Sequence, residues 1–267
     1  MPADALAASL RCTNDVTDAD TTPVLLLPAT AVNSTDNFSW NYERALTDKG
    51  ISWCTSDVPA PEHANANLAD IQTRAEYVTY AIYRLAGRRI STLGHSQGGM
   101  IARWSLRFWP DTREMVDDVI GMAPSNHGTS TAHATCVTPS SPAIWQQRSG
   151  SRFNDALDSY QEAFVGISYT TIPSDFDEVI VPPGNSAPDG PGRIANLRVQ
   201  DRCPARPVEH LQVGTSDPVV EGFVFDALRH NSPAHIARVD QSVCLRASCP
   251  ASIRRPIRRT SPPPRQR

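Results

Sequence analysis

A short apolar run over Arg89–Leu93 passes directly into Gly94-His95-Ser96-Gln97-Gly98, and a helical pattern over Ile101–Phe108, stopped by Pro110, follows it. A Gly-x-Ser-x-Gly segment in that setting requires a sharp strand-to-helix turn, which holds the serine in a strained conformation with its hydroxyl exposed. Both glycines have a steric reason, since side chains there would collide with neighbouring backbone. The N-terminus of the following helix offers N–H groups and a partial positive charge to a developing oxyanion. The pentapeptide alone constrains little: with Gly at about 7% of residues, roughly one chain in ten of this length carries it by chance. Its placement between an apolar run and a helix gives it weight.

The rest of the chain supplies matching elements. Pro23–Pro28 (PVLLLP) is a continuous apolar run of the kind needed by a strand buried on both faces, and Ile51–Val58 follows a Lys-Gly turn. Between Asn67 and Ala86, Leu68, Ile71, Ala75, Val78, Ile82 and Leu85 recur at three and four, one face of a helix that Gly87 stops. Val116–Ala123, Phe164–Ile172 and Ile194–Gln200 read as strands. Asp217–His230 reads as a helix, with Val219, Val220, Phe223, Ala227 and Leu228 on its apolar face. This βαβα alternation predicts an α/β protein of the α/β-hydrolase fold. Its mostly parallel central sheet would be flanked by helices on both faces, with ligands at the carboxyl ends of the strands. One domain is expected over 1–249; residues 250–267, rich in Arg and Pro with little to bury, are expected to form a disordered tail.

Charge divides the chain in the same place. The net charge is −3, but the last eighteen residues carry six Arg and no acid, leaving −9 on the first 249. An acidic body argues against a nucleic-acid surface, which needs clustered Lys and Arg. No run of about eighteen apolar residues is present to span a bilayer. The first residues, MPADALAASLRCTNDV, lack a basic and then apolar leader pattern, so a signal peptide is absent or already removed. Six Cys at long gaps form no zinc spacing. Their even number fits disulfides in an oxidising, extracellular compartment; buried thiols are the alternative. His127 and His133 lack a metal-ligand spacing and read as surface histidines, so no metal is expected. Asn33 and Asn37 head Asn-x-Ser/Thr triplets but fall in the loop after the first strand, where chance matches are expected rather than glycans.

An acyl-transfer serine needs a base and an acid that orients the base, in the chain order Ser, acid, His. Acids after a late strand are Asp175, Asp177 and Glu178; histidines beyond them are His210, His230 and His235. His230 closes a predicted helix, where the dipole alone favours it. His210, in the loop ARPVEHLQVG, is the expected base, with His235 as fallback. One oxyanion donor would come from the residue after the nucleophile, Gln97, and another from the loop after the first strand, Ala29-Thr30. His95, beside the serine, is expected to line the substrate pocket. No cofactor is required.

Six ordered segments, TPVLLLPAT, GHSQGGMIARW, MAPSNHGT, SPAIWQQRSGS, SDFDEVIVP and CPARPVEHLQV, resemble the lipases of the Candida antarctica lipase B type, shorter bacterial relatives included. The resemblance covers roughly residues 12–245. It implies a Ser96–His210–Asp177 triad, an oxyanion hole at Thr30 and Gln97, and acyl-pocket walls at Gln147, Val179 and Ile180. It also implies disulfides Cys12–Cys54 and Cys203–Cys244; Cys136 and Cys249 have no counterpart in the family and are left either to pair together or to remain thiols. The yeast enzyme has Thr-Trp before its nucleophile where this chain has Gly94-His95, and a pocket acid where this chain has Ser125. A different alcohol side of the pocket is therefore expected. The family's longer C-terminal region gives way here to the Arg/Pro tail, which implies a more open pocket or a truncated, less stable protein.

These readings predict a secreted serine carboxylic-ester hydrolase of the triacylglycerol-lipase type. It would act as a monomer on small-molecule or lipid esters, adsorb at lipid interfaces and bind no nucleic acid. A short-chain esterase or polyester depolymerase is the alternative within the class. A non-catalytic binding module on a hydrolase fold is the alternative outside it.

Overall fold

In the computed structural model, which describes residues 1–59, 67–85, 87–135 and 140–253, seven strands form one sheet in the order β1-β3-β2-β4-β5-β6-β7. They are β1 Leu10–Cys12, β2 Val24–Leu27, β3 Trp53–Ser56, β4 Ile90–His95, β5 Val116–Met122, β6 Ser168–Ile172 and β7 Arg193–Asn196. β1 pairs antiparallel to β3, and every other pairing is parallel.

β2 shows how the sequence builds two layers. All four of its residues are buried, and because side chains alternate across a strand they feed two different cores. Val24 and Leu26 join Phe38, Tyr42, Phe223 and Val224 on one face. Leu25 and Leu27 join Ile71, Val78, Ile82 and Met100 on the other. The Ile71–Arg84 helix buries Ile71, Ala75, Val78 and Ile82 at the expected spacing, and Asp70 caps it by accepting from the Thr73 N–H at 2.7 Å. Each such Val or Ile contributes about 1.5–3 kcal/mol of burial before the entropy of ordering it. Among the described residues no helix is long and apolar enough to cross a membrane.

Several elements differ from expectation. The strand expected over Phe164–Ile172 starts only at Ser168, because Gly166 adopts φ +89° and turns the chain. The run Ile194–Gln200 splits into β7, which ends at Asn196, and a separate Val199–Arg202 helix. Asp201 drives that break by accepting from the Arg198 N–H at 2.9 Å and from its guanidinium. The helix after the serine starts at Gln97 rather than Ile101. Order also continues past residue 249: Pro250–Ile253 forms a helical turn with Ala251 in the core, and the remaining tail lies outside the described residues.

Disulfides join Cys12 to Cys54, directly opposed on β1 and β3, and Cys203 to Cys244 across 41 residues. Cys249 is a buried free thiol, and Cys136 lies outside the described residues.

Candidate active site

β4 delivers Ser96 to the carboxyl edge of the sheet, where the chain turns at φ 55°, ψ −119° and enters the Gln97–Phe108 helix. The turn is pinned by the Ser96 N–H donating to Met122 O at 2.9 Å and by the Gly99 N–H donating back to Ser96 O at 3.0 Å. Glycine is required on both sides. A Cβ on Gly94 would lie 2.2 Å from the Gly98 carbonyl carbon, and one on Gly98 would lie 1.9 Å from Leu27 O. The Ser96 hydroxyl caps nothing and opens on a cleft of about 260 Å³ that His210 also lines.

His210 begins the short His210–Val213 helix, beyond β7, and three groups fix it. Its Nδ1 lies 2.9 Å from Asp177 Oδ2 and 3.0 Å from Oδ1. Its N–H donates to Glu178 Oε2 at 3.2 Å, and its carbonyl faces His95 Nε2 at 3.2 Å. Asp177, in the loop after β6, is itself oriented by the N–H groups of Val179 and Ile180, each donating to Oδ1 at 2.8 Å. With Nδ1 spent on Asp177, Nε2 is the nitrogen left for the serine. Among the described residues no hydrogen bond yet links it to Ser96 Oγ, a contact that in unliganded enzymes is often loose.

His95 is buried, with Nδ1 3.2 Å from Asn37 Oδ1. Burial, then the neighbouring His210, holds its pKa well below the ordinary histidine value. A neutral His95 ring carries a single N–H, so it donates either to Asn37 Oδ1 or to His210 O, and it lines the cleft. Asn37 Oδ1 also accepts the Ala29 N–H at 3.0 Å, whereas the Thr30 N–H, next in that loop, has no hydrogen-bond partner among the described residues. Gln97 N–H, first in its helix, has no intrahelical acceptor and is likewise available.

The Thr30 hydroxyl oxygen accepts from Gln97 Nε2 at 3.1 Å and from Gln147 Nε2 at 2.8 Å. Two amide donors fill its lone pairs, so its own hydrogen is left to donate elsewhere. Gln147, Val179 and Ile180 line the cleft. Ser125 does not: it is fully buried and donates to Gln147 Oε1 at 2.9 Å, supporting a wall from behind. Asn37, head of one Asn-x-Ser triplet, is 3% exposed and committed to internal bonds, so a glycan there is incompatible with the fold.

The rival histidines lie elsewhere. His230 pairs with Asp226, and His235 Nδ1 accepts from the Ala237 N–H; neither lines the cleft. His127, expected at the surface, is half-buried, with Nε2 2.9 Å from Glu162. Glu162 raises its pKa, and the Arg103 guanidinium already pairs with Asp158 in the same cluster. His133 Nε2 lies 3.1 Å from Ser149 O. Sequence reasoning gave Asn37 no part in the site and weighed Glu178 only as an alternative acid, not as a support of the His210 backbone. Only the adjacency of Glu178 to Asp177 gave any signal.

The sheet order, with a serine elbow at the end of β4 and a His–Asp pair on later loops, defines an α/β-hydrolase. No protein-family model matches the chain. It is 30% identical over 192 residues to lipase B of Pseudozyma antarctica, an alignment covering 70% of this chain and 55% of that protein. The crystal structure of Aspergillus fumigatus lipase B superposes with a TM-score of 0.82 at 26% identity, over 94% of this chain and 63% of that one. Bacillus licheniformis lipase BlEst2 in its mature form shares the fold alone, with a TM-score of 0.63 at 12% identity over 84% of this chain and 98% of that one. By sequence and by structure the chain is thus similar to lipase B proteins, on an α/β-hydrolase fold. It spans just over half the length of the curated relative it matches.

Proposed function

We propose that the chain is a serine carboxylic-ester hydrolase of the lipase type. Ser96 Oγ attacks the ester carbonyl as its proton passes to His210 Nε2, and the carbonyl electron pair moves onto oxygen. The resulting alkoxide accepts hydrogen bonds from the N–H groups of Thr30 and Gln97 and from the Thr30 hydroxyl. Collapse expels the alcohol, protonated by imidazolium. Water activated by His210 then frees the acid from Ser96. The observation that carries this reading is the 2.9 Å contact between His210 Nδ1 and Asp177 Oδ2, formed beside the cleft onto which Ser96 opens.

Lipid esters are the proposed substrates. Val32, Ala132, Ile144, Val179, Ile180 and Leu211 give the cleft an apolar wall suited to an acyl chain, with Leu211 60% exposed at its rim. The two disulfides favour an oxidising, extracellular setting. The test is labelling by a fluorophosphonate probe in the parent chain and in Ser96→Ala, together with hydrolysis of p-nitrophenyl esters of increasing length and of emulsified triglyceride. Labelling and turnover that vanish in Ser96→Ala are expected. Label-free parent protein favours a binding module, and turnover limited to the shortest esters removes the lipase assignment.

A further inference from the structure

Arg74 sits in the first turn of the Ile71–Arg84 helix and is 4% exposed. One guanidinium nitrogen, Nη2, donates to Pro28 O at 2.7 Å, and the other, Nη1, donates to Gln97 Oε1. Its Nε has no hydrogen-bond partner. No carboxylate lies within ion-pair distance among the described residues. Asp57 is the acid whose field reaches it, and that carboxylate is already engaged by the Ser34 N–H at 2.8 Å and by the Ser34 hydroxyl. Burial draws its pKa down only to about 10, so it remains a cation at neutral pH.

Such a placement is unfavourable on two counts. A buried charge without a counterion loses its hydration, and a cation in the first turn faces the positive end of the helix dipole. Its two bonds explain where the compensation arises. Pro28 lies two residues before Thr30, and Gln97 is the other carrier of an oxyanion N–H. The guanidinium therefore joins the two halves of the oxyanion hole from behind, in the water-poor interior where charge interactions are strong.

We propose that Arg74 is a positioning residue for the oxyanion: it locks the Thr30 and Gln97 loops together, and its unpaired positive charge is offset by the negative charge that develops on the substrate oxygen. This inference rests on the serine-hydrolase reading above. Arg74 touches no reacting atom. Its contribution appears only when the trigonal, neutral carbonyl becomes a tetrahedral anion, so it distinguishes transition state from ground state.

The experiment compares two probes of one shape. 2-Phenylethylboronic acid adds to Ser96 Oγ: the oxygen forms a bond to boron, the serine proton moves to His210, and boron becomes tetrahedral and anionic. 3-Phenylpropanamide fills the cleft but stays trigonal and uncharged. Inhibition constants for both are measured in the parent chain, Arg74→Met and Arg74→Lys, with melting curves recorded alongside. Arg74→Met should weaken the boronic acid by at least about tenfold while leaving the amide unchanged, and Arg74→Lys, which keeps the charge but not the two-pronged contact, should recover part of that loss. Equal weakening of both probes, or parent-like boronate affinity in Arg74→Met, overturns the proposal. Should Arg74→Met not fold, Arg74→Gln, neutral but still a hydrogen-bond donor, takes its place: a ratio of the two constants shifted by about tenfold against the boronic acid is expected, and a parent-like ratio overturns the proposal. A parent chain without Ser96-dependent turnover instead refutes the hydrolase reading and leaves these probes without a target.

Discussion

The contact between the elbow and β2 sets up a demanding test, Gly98→Ala. An added Cβ would lie 1.9 Å from Leu27 O, 2.6 Å from Leu27 C and 2.7 Å from Pro28 O. All three are backbone atoms, and the first two belong to the central strand β2, so no side chain can swing aside. Restoring an ordinary carbon–oxygen separation requires the start of the Gln97–Phe108 helix and the end of β2 to part by more than about 1 Å. Gln97 rides on one side of that gap and Thr30, two residues beyond Pro28, on the other. The substitution therefore pulls the oxyanion donors apart while leaving Ser96, His210 and Asp177 chemically intact. A misplacement of this size typically costs about 100-fold in rate, with overpacking destabilising the fold by about 1–3 kcal/mol. The assay is kcat/KM on p-nitrophenyl butyrate, normalised to folded protein by near-ultraviolet circular dichroism. Activity within threefold of the parent in folded Gly98→Ala would refute the argument that this glycine sets the width of the oxyanion hole.

Three further outcomes follow from particular contacts. On the proposed mechanism Thr30→Val removes a donor to the oxyanion and strands two amide N–H groups, so kcat/KM should fall about 10²–10³-fold, whereas Thr30→Ser should stay close to the parent; equal loss in both would place the effect in the methyl group. Replacing Cys203 and Cys244 together by Ala frees a loop spanning 41 residues, and the chain-entropy relation gives a loss of up to about 4 kcal/mol, measurable as a lower urea midpoint with a steeper slope, since the freed denatured chain exposes more surface. Asp118 is buried on β5, and burial raises its pKa to about 6. A raised carboxyl pKa means the folded state holds its proton more tightly, a stabilisation present below the ordinary carboxyl value of 3.8 and lost as pH rises through about 6. Asp118→Asn, which mimics the protonated form, should therefore raise the melting temperature at pH 8 and leave it nearly unchanged at pH 3.5.

Much of this architecture was legible because burial imposes patterns. The PVLLLP run has no polar position to give to solvent, so it had to be a strand covered on both faces. The three-and-four spacing of Ile71, Ala75, Val78 and Ile82 allowed only a helix. Ser96, Asp177 and His210 could be ordered because each follows a strand at the same edge of the sheet. Failures came where tertiary partners decide. Ile194, Leu197 and Val199 read as one strand, but an Asp201 bond to the Arg198 backbone ends it. Ser125 was placed in the pocket by analogy with a relative's acid, yet its hydroxyl meets Gln147 behind the wall. Arg74 reads as the polar edge of an amphipathic helix, and nothing local reveals the Pro28 carbonyl beneath it.

The backbone of Ser96, held at φ 55° without being glycine, implies a tension between durability and use. A conformation of this kind stores about 1–3 kcal/mol in an L-residue, energy that glycine at the same place would release. Heat-resistance selection applied without an activity requirement would thus drift toward losing the very side chain the fold presents. Sturdier descendants of this sequence must find their gains elsewhere in the molecule.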